Sequence, residues 1–140
     1  MSVYAESSAV LAWILGERAG ARCERVLAQE DAVYASEMTL IECDRALIRA
    51  AYLGDVSQAD AERWRAQVAN ASAHWILLVV SEDVVTRART TFPVEPVRTL
   101  DAIHLSSALI ARPASPGMRL LSLDERVRRN GEALGFEVAP

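Results

Sequence analysis

Trp75-Ile76-Leu77-Leu78-Val79-Val80 is an unbroken apolar run of six residues, and Ser81-Glu82-Asp83 follows it directly as a helix N-terminal signature. A run this short reads as a strand rather than a buried helix. Its lack of polar alternation is the pattern of a parallel strand with both faces covered, so it is expected in the middle of a sheet. Upstream, Ser57 caps a helix from Gln58 to about Asn70; Val56, Trp64 and Val68 are apolar and much of the rest is polar, so this helix is expected to pack as an arm or lid. Downstream, a helical segment ends near Phe92, and Pro93-Val94-Glu95-Pro96 is a loop. The loop leads into the helix of Arg98-Thr99-Leu100-Asp101-Ala102-Ile103-His104-Leu105-Ser106-Ser107-Ala108-Leu109, apolar around most of its circumference and therefore buried between layers. Thr99 is placed to be its N-cap, which sets Asp101 in the first turn.

The same alternation fills the rest of the chain. Ser2 to Ala5 is a strand, Glu6 stands at its carboxyl end, and Ser7-Ser8 cap a helix from Ala9 to Leu15 that Gly16 stops. Ala19 to Gln29 has the spacing of a second helix, and Ala32-Val33-Tyr34-Ala35 of a second strand. Ser36 opens a helix to about Leu53, closed by Gly54, with Leu40, Cys43, Leu47 and Ala51 on its buried face and Glu42 roughly opposite, near Arg45 and Arg49. Pro113 to Gly117 is a loop, Met118 to Leu123 a strand ended by Asp124, Glu125 to Leu134 the last helix, and Phe136-Glu137-Val138 a small terminal strand. Strands alternating with helices predict an α/β layered fold with a mainly parallel sheet, in which sites form just past the carboxyl ends of the strands. Glu6 and Asp124 stand at two such ends.

At 140 residues the chain fits one domain, 1–140, and with 51% hydrophobic and 24% charged residues it has a globular balance. Cys23 and Cys43 lie within helical patterns without CxxC spacing, so no disulfide framework or zinc knuckle is expected, and a reducing cytoplasm fits. The N-terminus meets Glu6 before any long apolar run and no 18-residue apolar stretch follows, against secretion or membrane spanning. Net charge is -4, yet all 15 basic residues are arginine, whose planar fork suits phosphate, so charge alone neither requires nor excludes nucleic acid.

Four acids stand out: Glu6, Glu42, Asp101 and Asp124. Each has a local explanation. Glu6 and Asp101 are first-turn acids, Glu42 completes a Thr39-x-x-Glu42 capping box or pairs with Arg45, and Asp124 caps the last helix. Arriving together at one sheet edge, they would repel one another unless a cation neutralised them, and all-oxygen ligands suit Mg²⁺ or Mn²⁺ and phosphoryl-transfer chemistry.

In this arrangement the chain resembles the PIN-domain ribonucleases, and within them the VapC-type toxins of toxin-antitoxin pairs, over nearly its whole length. Tyr4-Ala5-Glu6-Ser7-Ser8-Ala9 is similar to that family's Asp-x-Ser opening, and Ser36-Glu37-Met38-Thr39-Leu40-Ile41-Glu42 to its second acidic segment. Leu100-Asp101-Ala102-Ile103-His104-Leu105 is similar to the third, and Leu121-Ser122-Leu123-Asp124 to the fourth. The resemblance implies a Rossmann-like α/β/α sandwich and an acidic site for Mg²⁺ or Mn²⁺ formed by Glu6, Glu42, Asp101 and Asp124. It also implies metal-dependent cleavage of RNA of the tRNA or ribosomal class, a homodimer, and an inhibiting antitoxin protein. One position departs from the pattern: Glu6 stands where the family has Asp. The longer acid carries its carboxylate one methylene further, which points to weaker, Mn²⁺-preferring or absent catalysis, and to a rival reading as an RNA- or protein-binding module.

Ser8 and Ser122 are candidates to hold a carboxylate or water beside the metal. His104, one turn past Asp101, is either a satisfied core histidine or a partner of an acid or the substrate, and its only fellow, His74, precedes a distant strand, which disfavours zinc. Arg45, Arg49 and Arg98 are candidates for phosphate or antitoxin contacts as well as for ordinary ion pairs. Trp13, among Val10, Leu11 and Ile14, reads as core or dimer packing rather than base stacking. No Asp-x-Asp pair, Gly-rich phosphate loop or Gly-x-Ser-x-Gly elbow supports another phosphatase, exonuclease or serine hydrolase.

Overall fold

The computed structural model describes residues 1–140. Five strands, β1 (Ser2–Ala5), β2 (Ala32–Ser36), β3 (Ile76–Leu78), β4 (Arg119–Leu121) and β5 (Val138–Ala139), pair in parallel throughout, in the order β3-β2-β1-β4-β5. Alternation of side chains along the strands sends Val3, Ala5, Val33 and Leu121 to one face and Tyr4, Tyr34 and Leu120 to the other. The first face is covered by α1 (Ser7–Ile14), α2 (Gly20–Gln29), α3 (Glu37–Tyr52) and α4 (Gln58–Ser72) through Val10, Ile14, Cys23, Cys43, Leu47 and Val68. The second is covered by α5 (Glu82–Ala88), α6 (Thr99–Ala111) and α7 (Glu125–Ala133) through Ala88, Leu105, Ala108 and Val127. The result is a layered α/β fold with a parallel sheet, as the alternation predicts, and an α/β/α sandwich, as the resemblance implies.

The apolar run at 75–80 is placed differently from its expectation. Only Ile76–Leu78 form a strand, and that strand lies at the sheet edge, paired on one side to β2. Ile76 and Leu77 are more than two-fifths exposed and Val79 is 64% exposed. An uninterrupted apolar run records that the strand is apolar on both faces; it does not record whether this chain supplies both covers. α4 is not a free arm: Ala61 and Val68 are buried, Trp64 packs on the core, and Arg65 pairs with Asp44 of α3 at 3.3 Å.

Close packing of the helices needs a glycine at the start of α2. A Cβ on Gly20 would lie 2.3 Å from the carbonyl oxygen of Ala12 and 3.0 Å from Trp13 Cα, so α1 and α2 touch backbone to backbone. Trp13 is half-buried against the same core. No helix is long and apolar enough to cross a membrane.

The strand order sets the site. The chain steps from β1 to β2 and β3 on one side, then returns to β4 and β5 on the other, so the order reverses between β1 and β4. A crevice opens at such a reversal, outside the carboxyl ends of the two strands.

Candidate functional site

Glu6 follows β1 at that crevice and is itself the N-cap of α1, in place of the expected Ser7-Ser8 pair: its backbone is extended and its side chain accepts from Ser8 N–H at 3.2 Å. The extra methylene of Glu lets the carboxylate reach further donors. Oε1 also accepts from Ser7 Oγ at 2.8 Å, and Oε2 accepts from Ser122 Oγ at 2.7 Å and from Ser8 Oγ in a short hydrogen bond. Those serines are anchored in turn, since Ser8 Oγ accepts from Leu123 N–H at 2.9 Å and Ser122 Oγ accepts from Asp124 N–H at 3.1 Å. Glu6 is 4% exposed, and all four donors converge on its two oxygens. One carboxylate thus ties the end of β1 to the turn after β4. The sequence pattern suggests Ser8 and Ser122 for such a role but not Ser7.

Asp124 caps α7, accepting from Arg126 and Val127 N–H at 2.9 and 3.1 Å. Its second oxygen lies 3.7 Å from Arg98 Nη2. Asp101 arrives from α6, whose N-cap is Arg98 rather than Thr99, the latter being the first helical residue. Asn130 of α7 holds the preceding loop by exchanging hydrogen bonds with Val94 N–H and C=O, each at 2.9 Å, which fixes where α6 begins.

Asp101 is 8% exposed, and its Oδ2 has no hydrogen-bond partner although Arg98 Nε lies 3.5 Å away. Burial pushes the Asp101 carboxyl above the usual carboxylate range, repulsion from Asp124 and Glu6 adds to the rise, and Arg98 opposes it. One guanidinium therefore serves two carboxylates without fully pairing either.

Glu42 reaches the same region from α3 on the other side of Asp101. It makes neither the capping box with Thr39 nor a pair with Arg45. Thr39 Oγ1 donates instead to Ala5 C=O at 3.4 Å, and Glu42 Oε1 accepts a short hydrogen bond from His104 Nε2. Glu42, Arg98, Thr99, Leu100 and Asp101 line a cavity of about 460 Å³. His104 is fully buried and bonded on its other nitrogen to Tyr4 Oη at 2.8 Å. Tyr4 is a contact the sequence reading missed; its signal is a phenol at the centre of a buried strand, which needs a polar partner.

Arg45 and Arg49 stand apart from the acids. Neither forms an ion pair, and with Ala46, Ile48, Tyr52 and Leu53 they line a shallow cavity of about 610 Å³ on the outer face of α3.

As the side chains stand, no three His, Cys, Asp or Glu residues form a ligand set for a metal ion. Asp101 and Asp124 nonetheless fit one, because Asp101 Oδ2 is a buried oxygen without a partner and the cation between the two is a 69% exposed, movable guanidinium. Mg²⁺ is commonly held by one or two carboxylates with water completing its shell. Glu42 retains an oxygen, Oε2, that makes no hydrogen bond, whereas Glu6 would have to exchange a serine for a metal.

Residues 3–133 match the family model described as PIN domain. A search of curated proteins finds no match by sequence. Among solved structures the fold is similar to VapC20 of Mycobacterium tuberculosis, described as a sarcin-ricin loop cleaving toxin, at TM-score 0.66 and 18% identity over 99% of both chains. It is also similar to VapBC2 of Rickettsia felis bound to a DNA fragment from the promoter, at TM-score 0.65 and 10% identity over 99% of this chain and 97% of that one. With the acids at the crevice between β1 and β4 and the family model spanning all but the chain ends, the protein belongs to the PIN domain family.

Proposed function

We propose that this protein, as a single PIN domain over residues 1–140, is a metal-dependent endoribonuclease and the VapC-type toxin of a toxin-antitoxin pair, acting in the cytoplasm. The observation that carries the reading is Asp101: a buried carboxylate with an unpaired oxygen, beside Asp124, at the strand-order reversal where such sheets bind ligands. The described activity of VapC20 on the sarcin-ricin loop supports RNA of the ribosomal or tRNA class as substrate, and the VapBC2 complex supports a cognate antitoxin as partner. The apolar, exposed edge around Ile76, Leu77 and Val79 supports a homodimer.

In this reading Asp101 and Asp124, with Glu42 and Glu6 beside them, hold one or two Mg²⁺ or Mn²⁺ ions. A bound ion supplies an activated water and neutralises charge on the phosphate. Arg98, displaced from the two aspartates, is long and exposed enough to meet a phosphate oxygen. Asp101 Oδ2, buried and without a hydrogen-bond donor, is the oxygen that would face the ion. His104 holds Glu42, and Ser8 and Ser122 hold Glu6.

One observation favours a second reading. The four hydrogen bonds on Glu6 fit a carboxylate retired from metal binding, hence an impaired PIN protein acting as an RNA- or protein-binding module. The test is cleavage of a tRNA and ribosomal RNA mixture by antitoxin-free protein in Mg²⁺, Mn²⁺ and EDTA, with Asp101→Asn and Glu6→Asp alongside. Metal-dependent cleavage that Asp101→Asn abolishes supports the nuclease. An inert wild type with an active Glu6→Asp variant supports the binding module.

A further inference from the structure

Glu42 is held from inside the core by a chain of two buried aromatic side chains. Its Oε1 accepts from His104 Nε2, His104 Nδ1 is hydrogen-bonded to Tyr4 Oη at 2.8 Å, and Tyr4 and His104 are both fully buried. The three residues come from different elements, α3, α6 and β1, and lie 62 and 100 positions apart in sequence. The rings of Tyr4 and His104 meet edge-on, with centroids 6.0 Å apart and planes at 68°.

We propose that Tyr4 and His104 are positioning residues for Glu42: the Tyr4 hydroxyl, bonded to Nδ1, anchors the His104 ring to β1, and Nε2–H holds the Glu42 carboxylate at the cavity with Oε2 left free for a ligand. The inference rests on the reading of Glu42 as a site acid. The direction of each bond follows from the groups themselves. A carboxylate only accepts, so Nε2 carries the hydrogen. In a neutral imidazole Nδ1 then accepts, so the Tyr4 hydroxyl donates. Burial pushes the Tyr4 phenol up and keeps that hydrogen in place. Without the hydroxyl, Nδ1 would be a buried acceptor with no donor, the ring would lose its anchor in β1, and the Nε2–H it offers to Glu42 would no longer be held at one angle. A histidine that orients an acid has the same logic as the outer partners of metal ligands, whose removal typically lowers metal affinity about 10-fold or more.

The experiment uses the full chain with His74→Gln, which removes the only other histidine, an exposed one. Long-range ¹H–¹⁵N correlation of the imidazole reads the tautomer without metal or RNA. Mn²⁺ titration followed by electron paramagnetic resonance reads the site. In the parent chain His104 should show a single Nε2–H tautomer. Tyr4→Phe, which keeps the ring and the packing, should keep the Nε2–H tautomer that the Glu42 carboxylate itself selects, and should bind Mn²⁺ about 10-fold more weakly. His104→Gln, whose amide nitrogen falls near the Nε2 position, should retain Mn²⁺ affinity within about 3-fold, while His104→Asn, whose amide falls near Nδ1, should lose about 10-fold. A Tyr4→Phe chain with unchanged Mn²⁺ affinity, a parent ring protonated on both nitrogens, or Gln and Asn variants that fall alike would each overturn the proposal. A parent chain that binds no Mn²⁺ overturns the metal-site reading, and the presence or absence of the Nε2–H tautomer then decides the hold on Glu42 by itself.

Discussion

Asp101→Asn is expected to stabilise the protein in the absence of metal. The wild-type carboxylate is 8% exposed, its Oδ2 has no hydrogen-bond donor, and Asp124 and Glu6 repel it. An unpaired buried polar oxygen costs about 1–3 kcal/mol, and more when charged, so removing the charge should return about 2 kcal/mol. Two losses offset this: the favourable first-turn charge at the helix dipole, about 0.5 kcal/mol, and the ion pair with the exposed Arg98, about 0.5 kcal/mol. The net gain is about 1 kcal/mol. For a chain of 140 residues, with an unfolding entropy near 2.1 cal/mol/K per residue, that is a rise in Tm of about 3 °C. The pH dependence has a fixed sign. Because the Asp101 pKa is raised in the folded state, the folded chain binds the extra proton more tightly, and its protonation stabilises the fold. The advantage of the variant is therefore full above the raised pKa, shrinks as pH falls through it, and is gone below the ordinary value of 3.8. Thermal melts of wild type and variant in EDTA across that range measure it. Adding Mn²⁺ should reverse the order: at a hundred times the Kd the wild type gains about 2.7 kcal/mol, roughly 9 °C, and the variant much less. A variant that melts below the wild type in EDTA, with a gap that does not narrow in acid, would refute the argument.

Ser122→Ala removes a donor to Glu6 Oε2 and an acceptor for Asp124 N–H together, so a loss of about 2 kcal/mol and a Tm about 7 °C lower are expected; an unchanged melt would mean that Glu6 is not held from the β4 side. Glu6→Asp withdraws the carboxylate from Ser122 while keeping a good capping residue, so calorimetry should show a loss near 1 kcal/mol and Mn²⁺ titration a tighter site; weaker binding would count Glu6 as a ligand already in place. Gly20→Ala drives a Cβ into the Ala12 carbonyl and should cost about 3 kcal/mol, read as loss of soluble protein or an early melt. Val79→Lys on the exposed edge should turn a dimer into a monomer by light scattering, and a dimer that persists puts the interface elsewhere.

Much of this architecture was legible in the sequence because it is local. Ser2–Ala5 followed by Glu6, the buried character of the Asp101 helix, and Asp124 as a cap are each written in a few adjacent residues, and a parallel sheet follows from their alternation. What failed to show depends on residues far apart. The run at 75–80 carries no mark of lying at an edge, since that is decided by where the chain turns back between β3 and β4. The Glu42 partner was sought within one helical turn, at Arg45 or Thr39, but lies 62 residues on at His104. Glu6 as its own cap was hidden for a different reason: the neighbouring Ser7-Ser8 are better capping residues by propensity, and only the burial of the carboxylate beneath Ser122 makes Glu the stronger choice.

The single methylene that separates Glu6 from the family's Asp therefore changes more than a metal distance. An Asp at this position can still cap α1 through Ser8 N–H, but it is too short to reach Ser122 Oγ as well. With Glu, one carboxylate satisfies α1 and fastens the ends of β1 and β4, the two strands between which the crevice opens. Each such bond is to a charged acceptor and contributes about 1.5–3 kcal/mol, and each also occupies a lone pair that a metal would need. Asp101 is the opposite case, a buried acid whose Oδ2 has no hydrogen-bond donor and only an exposed arginine as ion-pair partner, at a cost to stability. In the proposed reading the two acids divide the usual conflict between stability and function: Glu6 holds the crevice together, and Asp101 would take the cation. A PIN protein built this way should depend more on Asp101 and Asp124 than on its first acid, so that Asp101→Asn removes metal binding outright while substitutions at Glu6 change mainly how firmly the site is held.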